Sequence, residues 1–298
     1  MAQTVYSAAG SDIAQSAPQV KPKRQPNGFP AVVPALVLIV LFFVVPITAL
    51  LVRSVLDPKP GLGNYAQLLG SWTYARVFAN TFEVAALVTI LSVAIGFPVA
   101  WMLAIMPRRW GAVIFAILLL SMWTNLLART YAWMVLLQRT GPINKLLIYL
   151  GLIDHPLAMV NDLTGVTIGM TYIMLPFIIL PLQGVIKNID PAILQAAALC
   201  GANRWKCLTR ILIPLALPGV AAGALMVFVM SLGYFVTPAL LGGTSNMMLA
   251  ELIAQLVQSL VNWGLGGAAA FVLLIVTLAI YALQLRLFGA GRLSHGGQ

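Results

Sequence analysis

Six long apolar runs, separated by short polar or turn-forming intervals, organise this chain. They cover residues 31–52, 81–106, 112–137, 166–186, 211–236 and 265–287. Each reaches the roughly 20 residues that a helix needs to cross the hydrocarbon core of a bilayer. The pattern predicts an all-α, polytopic membrane protein with six transmembrane helices. The first run is longer than the roughly 7–15 apolar residues of a cleavable signal and follows a polar segment of about 30, so it is expected to remain as an anchor. That segment, Met1 to Pro30, is rich in Ala, Ser, Gln and Pro and is expected to be a disordered tail. The organisation expected is therefore a tail (1–30), a transmembrane domain (31–288) and a short C-terminal tail (289–298).

Composition agrees with this reading. Of 298 residues 61% are hydrophobic and 8% charged, against about 25% charged in a soluble domain. A net charge of +10 does not imply nucleic acid, because no basic run is interleaved with aromatics on a soluble module. The charge instead follows the ends of the apolar runs, and its asymmetry sets an orientation. With the N-terminus inside, Lys21, Lys23, Arg24, Arg108, Arg109, Lys187, Arg204, Lys206, Arg210, Arg286 and Arg292 fall on the cytoplasmic side, leaving Arg53, Lys59, Arg76, Arg129, Arg139 and Lys145 outside. Both termini are then cytoplasmic, and the turn Pro107-Arg108-Arg109-Trp110-Gly111 is the strongest single indicator.

This topology puts an unusual stretch in the cytoplasm between the fourth and fifth runs: AILQAAALCGANRWKCLTRILIPLALPG, Ala192 to Gly219. Asp190 and Pro191 read as N-cap and first position of a helix. Gly201 can close it with a positive φ. A second short helix is expected from Asn203 to about Ile213, ending at Pro214 because proline removes a donor and crowds the preceding turn. Ile193, Ala197 and Cys200 share one face of the first helix, which suits a shallow apolar contact with a partner's groove. An interfacial helix on lipid headgroups is the alternative.

The stretch resembles the cytoplasmic coupling motif of binding-protein-dependent ABC importer permeases, in which Glu-Ala-Ala, three residues and Gly precede a hydrophobic helix ending in Pro. Ala196, Ala197, Gly201, Ala202, Pro214 and Pro218 match, and Gln195 stands at the usual Glu. Three further segments, WTNLLARTYAWMVLL (Trp123 to Leu137), GPINKLLIYLGLID (Gly141 to Asp154) and FVTPALLGG (Phe235 to Gly243), resemble the spermidine/putrescine permease branch. The resemblance implies a type I importer permease in the bacterial inner membrane. It also implies a second permease subunit of similar fold, two ATPase subunits docked on the coupling helices (region 190–214) and a periplasmic solute-binding protein. Gln195, Ala196, Ala197, Gly201, Ala202 and Arg204 would then carry ATPase coupling. ATP and Mg would be used by the partner, since this sequence has no G-x-x-x-x-G-K-[ST] phosphate loop and binds no cofactor itself.

Ionisable groups in or near apolar runs mark a candidate solute pathway. Glu83, Arg129 and Glu251 are such groups. For a polyamine, Glu83 and Glu251 could offer counter-charges, and Tyr131, Trp133 or Tyr234 aromatic faces. A structural reading stands beside this one: Arg129 could bridge to Glu83 or turn to the interface, and Trp123, Tyr131 and Trp133 are also typical belt residues. Asp154 and Asp162 belong to an outer loop. Gly219-x-x-x-Gly223 points to close helix approach. GLGGAA at Gly264 lacks the strand that a dinucleotide site needs. Cys200 and Cys207, like His155 and His295, show no metal-ligand spacing, so no metal site is expected. No nucleophile, base and orienting group come together, so no catalysis is expected of this chain. A stand-alone, ion-gradient-driven transporter or channel is the competing function, but it does not explain the small-residue helix and glycine turn; a membrane scaffold, in which that stretch would dock some other partner, is a third.

Overall fold

The structure, a computed structural model, describes residues 29–289. The expected tails, with Lys21, Lys23, Arg24, Arg292 and His295, lie outside the described residues, as does the side chain of Arg204. All described elements are helices and turns. The chain divides into two compact units after Thr48.

Helix α1, Val33–Leu56, corresponds to the first apolar run. Every position of the first unit from Val33 to Thr48 is exposed, Phe42 and Phe43 included. A helix that is apolar on all sides and uncovered is matched to lipid or another apolar surface, because all its backbone groups are paired within it.

The second unit contains a short helix α2 (Gly63–Gly70) and then α3 (Trp72–Ile105), α4 (Arg108–Trp123), α5 (Leu126–Leu137), α6 (Pro142–Tyr149) and α7 (Leu163–Lys187). After these come α8 (Pro191–Leu199), α9 (Trp205–Leu232), α10 (Val236–Leu241), α11 (Leu249–Ala254) and α12 (Trp263–Gly289). Helices α3, α7 and α9 pack on one another in all three pairings and form the centre. Val84, Val88, Met170, Met174, Ile178, Leu182, Ala216 and Val227 are buried there. Lipid tails are as apolar as these side chains, so the trio is held by close packing rather than by exclusion from water. Glycines make that packing possible. A Cβ at Gly96 of α3 would lie 2.6 Å from Ile178 Cγ2, and one at Gly223 of α9 would lie 3.0 Å from Ile178 Cγ1. Ile178 is therefore seated between two glycines, and Gly219 similarly admits Val185. The role read for Gly219 and Gly223 is borne out. A second cluster, toward the other end of α3, joins Leu68, Val77, Leu249, Leu252, Leu256 and Leu265.

Three boundaries differ from expectation. Helix α3 starts at Trp72, nine residues before the predicted run, because Tyr74, Val77 and Phe78 find partners in the second cluster despite the polar residues between them. The third run is broken: α4 and the segment from Leu126 are bent by 99°. Asn125 causes the break, its side chain accepting from the amides of Leu127 (2.8 Å) and Ala128 (3.3 Å) and so capping a new helix. Among the described residues five helices are long and apolar enough to span, and the bent pair, taken as one span, makes six. Finally, Pro214 does not stop a helix. A π-helical turn at Leu208–Leu212 lies within α9, which runs on through Pro214 and Pro218 to Leu232. The widened turn shifts the backbone pairing just where proline removes a donor, so the helix continues.

Candidate functional site

Two regions hold the predicted site residues. The first is α8 and its turns. Asp190 Oδ1 accepts from the Ala192 amide at 2.9 Å, and Pro191 follows as the first helical residue. At the other end the amides of Gly201 and Ala202 donate to the carbonyls of Ala198 and Ala197, both at 3.0 Å, with Gly201 at φ +83°. This is a Schellman closure with a left-handed glycine. Asn203 then caps α9, its Oδ1 accepting from the Lys206 amide at 2.8 Å. Helix, glycine turn and helix are thus arranged as the sequence suggests.

The face expected to be free is largely so: Ile193 and Cys200 are exposed and Ala197 is half-buried. Leu194, Ala198 and Ala202, with Trp101, Leu208 and Leu212, line an apolar cavity of about 200 Å3. Gln195, Ala196 and Gly201 are exposed. The exposed apolar side chains are Ile193, Leu199 and Trp205, and Leu199 is 90% exposed. A leucine so uncovered, on a helix already anchored by its opposite face, is suited to a partner surface.

The second region is polar. Thr130 of α5 and Thr237 of α10 bring their hydroxyls to 3.4 Å. Tyr234 sits beside Thr237 and within electrostatic reach of Arg129. Arg129 is half-buried and its Nε has no hydrogen-bond partner. The structure thus brings together Arg129 and Tyr234. Glu83 stands on an exposed position of α3, and no bridge to it satisfies the Nε of Arg129. Its neighbour Thr81 is buried and accepts from the Leu249 amide at 2.8 Å, which fixes the outward side of the helix at Glu83. Glu251, in the first turn of α11, faces back toward the Met248 amide, while its Oε2 is buried without a partner. Tyr131 is 53% exposed. Trp133 stacks obliquely on Tyr172, ring centres 5.5 Å apart, and the Tyr172 hydroxyl is 3.1 Å from Ser121 Oγ.

Sequence reasoning missed Asn144. Its side chain is fully buried, donates to the carbonyls of Gln138 (3.0 Å) and Leu157 (3.1 Å), and accepts from the Leu157 amide at 2.9 Å. It clasps the start of α6 to the loop before α7. The asparagine of Gly-Pro-Ile-Asn was the available signal, since a polar side chain amid apolar residues is costly unless fully bonded. Asp162 caps α7, accepting from the Thr164 amide (3.3 Å) and hydroxyl (2.7 Å). These bonds hold its carboxyl below the ordinary value.

With that geometry established, comparison with known proteins is decisive. Residues 68–289 match the family described as binding-protein-dependent transport system inner membrane component. The chain belongs to this family. Among the inner membrane components it is 34% identical over 215 residues to the spermidine/putrescine transport system permease protein PotB of Escherichia coli (strain K12), covering 72% of this chain and 78% of that one. The corresponding protein of Haemophilus influenzae is 33% identical over 221 residues, covering 73% and 77%. Among solved structures, a bacterial ABC transporter involved in the import of the acidic polysaccharide alginate superposes with a TM-score of 0.69, at 18% identity, over 87% of this chain and 94% of that one. The MetNI methionine ABC transporter in inward-facing form gives 0.56, at 18% identity, over 74% and 96%. The fold of this inner membrane component is therefore that of an ABC transporter permease, as its resemblance implied.

Proposed function

We propose that this chain is one of two membrane-spanning subunits of an ATP-driven importer whose solute is a polyamine such as spermidine or putrescine, or a closely related small cation. A second permease of similar fold completes the pathway, two ATPase subunits bind on the cytoplasmic side, and a periplasmic binding protein delivers the solute. ATP and Mg act on the ATPase subunits, and this chain turns over no substrate of its own. Closing of the ATPase pair pushes on α8, and the helices around α3, α7 and α9 change from inward to outward facing. Both termini lie in the cytoplasm of a bacterial cell, at its inner membrane.

One observation carries the coupling role: α8 is closed at both ends by its own caps, anchored by Leu194, and still presents Leu199 almost wholly uncovered. The relatives named above are spermidine/putrescine permeases, which supports a cationic solute. For such a solute, the unpartnered Oε2 of Glu251 offers a carboxylate oxygen, and Tyr234 an aromatic face. Arg129 lies beside Tyr234 and would repel a cation, so it is assigned to ordering the α5–α10 contact. Glu83 and Tyr131 stand on the exposed side of the helices, whereas Trp133 packs against the core beside Tyr172. A stand-alone transporter driven by an ion gradient leaves α8 without a purpose.

The test is co-purification. The chain, tagged at its C-terminus and extracted in mild detergent from its native cells, should bring down an ATPase and a second permease identifiable by mass spectrometry. Recovery alone, from an extraction that preserves another ABC complex, refutes the assembly. Radiolabelled spermidine uptake, lost when the gene is deleted, tests the solute separately.

A further inference from the structure

At the end of the bundle that carries α8, a cavity of about 300 Å3 opens between the first turn of α4 and the last turns of α7. Its polar wall is Arg108, Lys187 and Gln183, its apolar floor Leu103, Met106 and Phe115, and no Asp or Glu lines it. Lys187 and Gln183 are one helical turn apart on α7 and so share a face at two depths. Gln183 is only 4% exposed, and its side chain contributes to the lining of this cavity. A side-chain amide so placed can donate to an occupant of the cavity. The start of α4 adds to the positive character. Its cap position is Pro107, which supplies no side-chain acceptor, and the helix amides ahead of Gly111 are unclaimed by a cap. The nearest carboxylate in sequence, Asp190, is engaged with the Ala192 amide.

Two cations from different helices, a buried amide and a free helix start therefore surround one space with no counter-charge. A basic rim above an apolar floor suits a tetrahedral anion, with room for an adjoining apolar part. Arg matches phosphate oxygens in pairs, while Lys acts as a point charge. We propose that this cavity binds a phosphate group, presented by an anionic membrane lipid or by a free phosphate compound. Arg108 and Lys187 hold the anionic oxygens, Gln183 donates to a deeper ester or phosphate oxygen, and Leu103, Met106 and Phe115 receive the adjoining apolar part. Neither the family nor the proposed solute assigns a role to this space.

The experiment uses the full chain with its co-purifying partners in mild detergent. It is equilibrated with equimolar phosphatidylglycerol and phosphatidylcholine and examined by native mass spectrometry. The wild type should retain phosphatidylglycerol in preference. Arg108→Gln and Lys187→Gln should each lower that preference about fivefold, and together about thirtyfold. Gln183→Leu, of similar size and at a buried position, should lower it too, whereas Arg139→Gln with Lys145→Gln, on the other side, should not. Arg108 and Lys187 are exposed, so their substitution leaves folding intact, which a melting curve checks. If the lipid shows no preference but millimolar inorganic phosphate raises the melting temperature of the wild type and not of the double variant, the occupant is a free phosphate compound. Equal lipid retention by the wild type and the double variant, with no phosphate-dependent melting shift in either, overturns the proposal.

Discussion

Gly201→Val isolates the turn that closes α8. A Cβ at Gly201 would meet nothing within 4 Å, so no steric clash with the rest of the protein enters. What remains is the backbone angle, φ +83°. For an L residue the left-handed region costs about 1 kcal/mol with Ala, and about 2 or more with a β-branched side chain. At about 2 kcal/mol the closed turn loses roughly thirtyfold in population relative to an opened one. Opening it frees the amides of Gly201 and Ala202 from Ala198 and Ala197 and swings Leu199 out of register with the entry to α9. The core around Ile178 is remote from this change, so membrane insertion and expression should be normal. Uptake in cells, normalised to protein level by immunoblot, should fall at least tenfold for Val and only a few-fold for Ala. ATPase activity in reconstituted vesicles should lose its stimulation by solute-loaded binding protein. Wild-type uptake by the Val variant at equal protein level would refute the requirement for a left-handed residue there.

Other outcomes follow from packing and capping. Asn144→Ala removes three hydrogen bonds and leaves two carbonyls and an amide to find water; a loss of about 3 kcal/mol is expected, read as a lower melting temperature in detergent with faster exchange of the Leu157 amide. Gly96→Ala places a methyl 2.6 Å from Ile178 Cγ2, with Gly223 closing the opposite side; it should destabilise by about 1–3 kcal/mol, and Ile178→Ala should recover part of that loss in the double variant. For Asp162 the folded carboxyl titrates below its ordinary value because of its bonds to Thr164. Its contribution is therefore present above the unfolded value of about 3.9 and is lost as pH falls through the folded one; melting between pH 6 and about pH 3 should fall less steeply for Asp162→Asn, and identical slopes would exclude the cap as a source.

The six spans were legible because an apolar run has few other uses at that length. The break at Asn125 was not, since hydropathy continues through it and only the side chain's turn toward Leu127 and Ala128 makes it a cap. The caps of α8 were readable from Asp190, Pro191 and Gly201, whose backbone preferences are local. Its free face was readable in part, through Ile193 and Cys200, but the prominence of Leu199 was not, because what covers the other side of the helix is Trp101 and Leu212, far away in sequence. The same limit applies to the candidate pathway. Sequence could pick out Glu83, Arg129, Tyr234 and Glu251 as costly residues, but the proximity of Arg129 to Tyr234 follows from α5 meeting α10. Pro214 was misleading because the π turn that accommodates it has no composition of its own.

Helix α3 is 34 residues long, about 51 Å at 1.5 Å per residue. Near one end Thr81 is tied to the amide of Leu249, and near the other Trp101 roofs the cavity beneath α8. One unbroken rod thus touches both the face from which a solute arrives in the proposed transporter and the face on which force is applied. Tilting about its midpoint by roughly 5° carries each end about 2 Å, in opposite directions, over a half-length of about 25 Å. Were α3 to tilt as one body in the proposed transporter, with Pro98 no hinge, its fulcrum would fall near Val88 and Ser92 and pressing on one end would be read at the other as displacement, as on a see-saw.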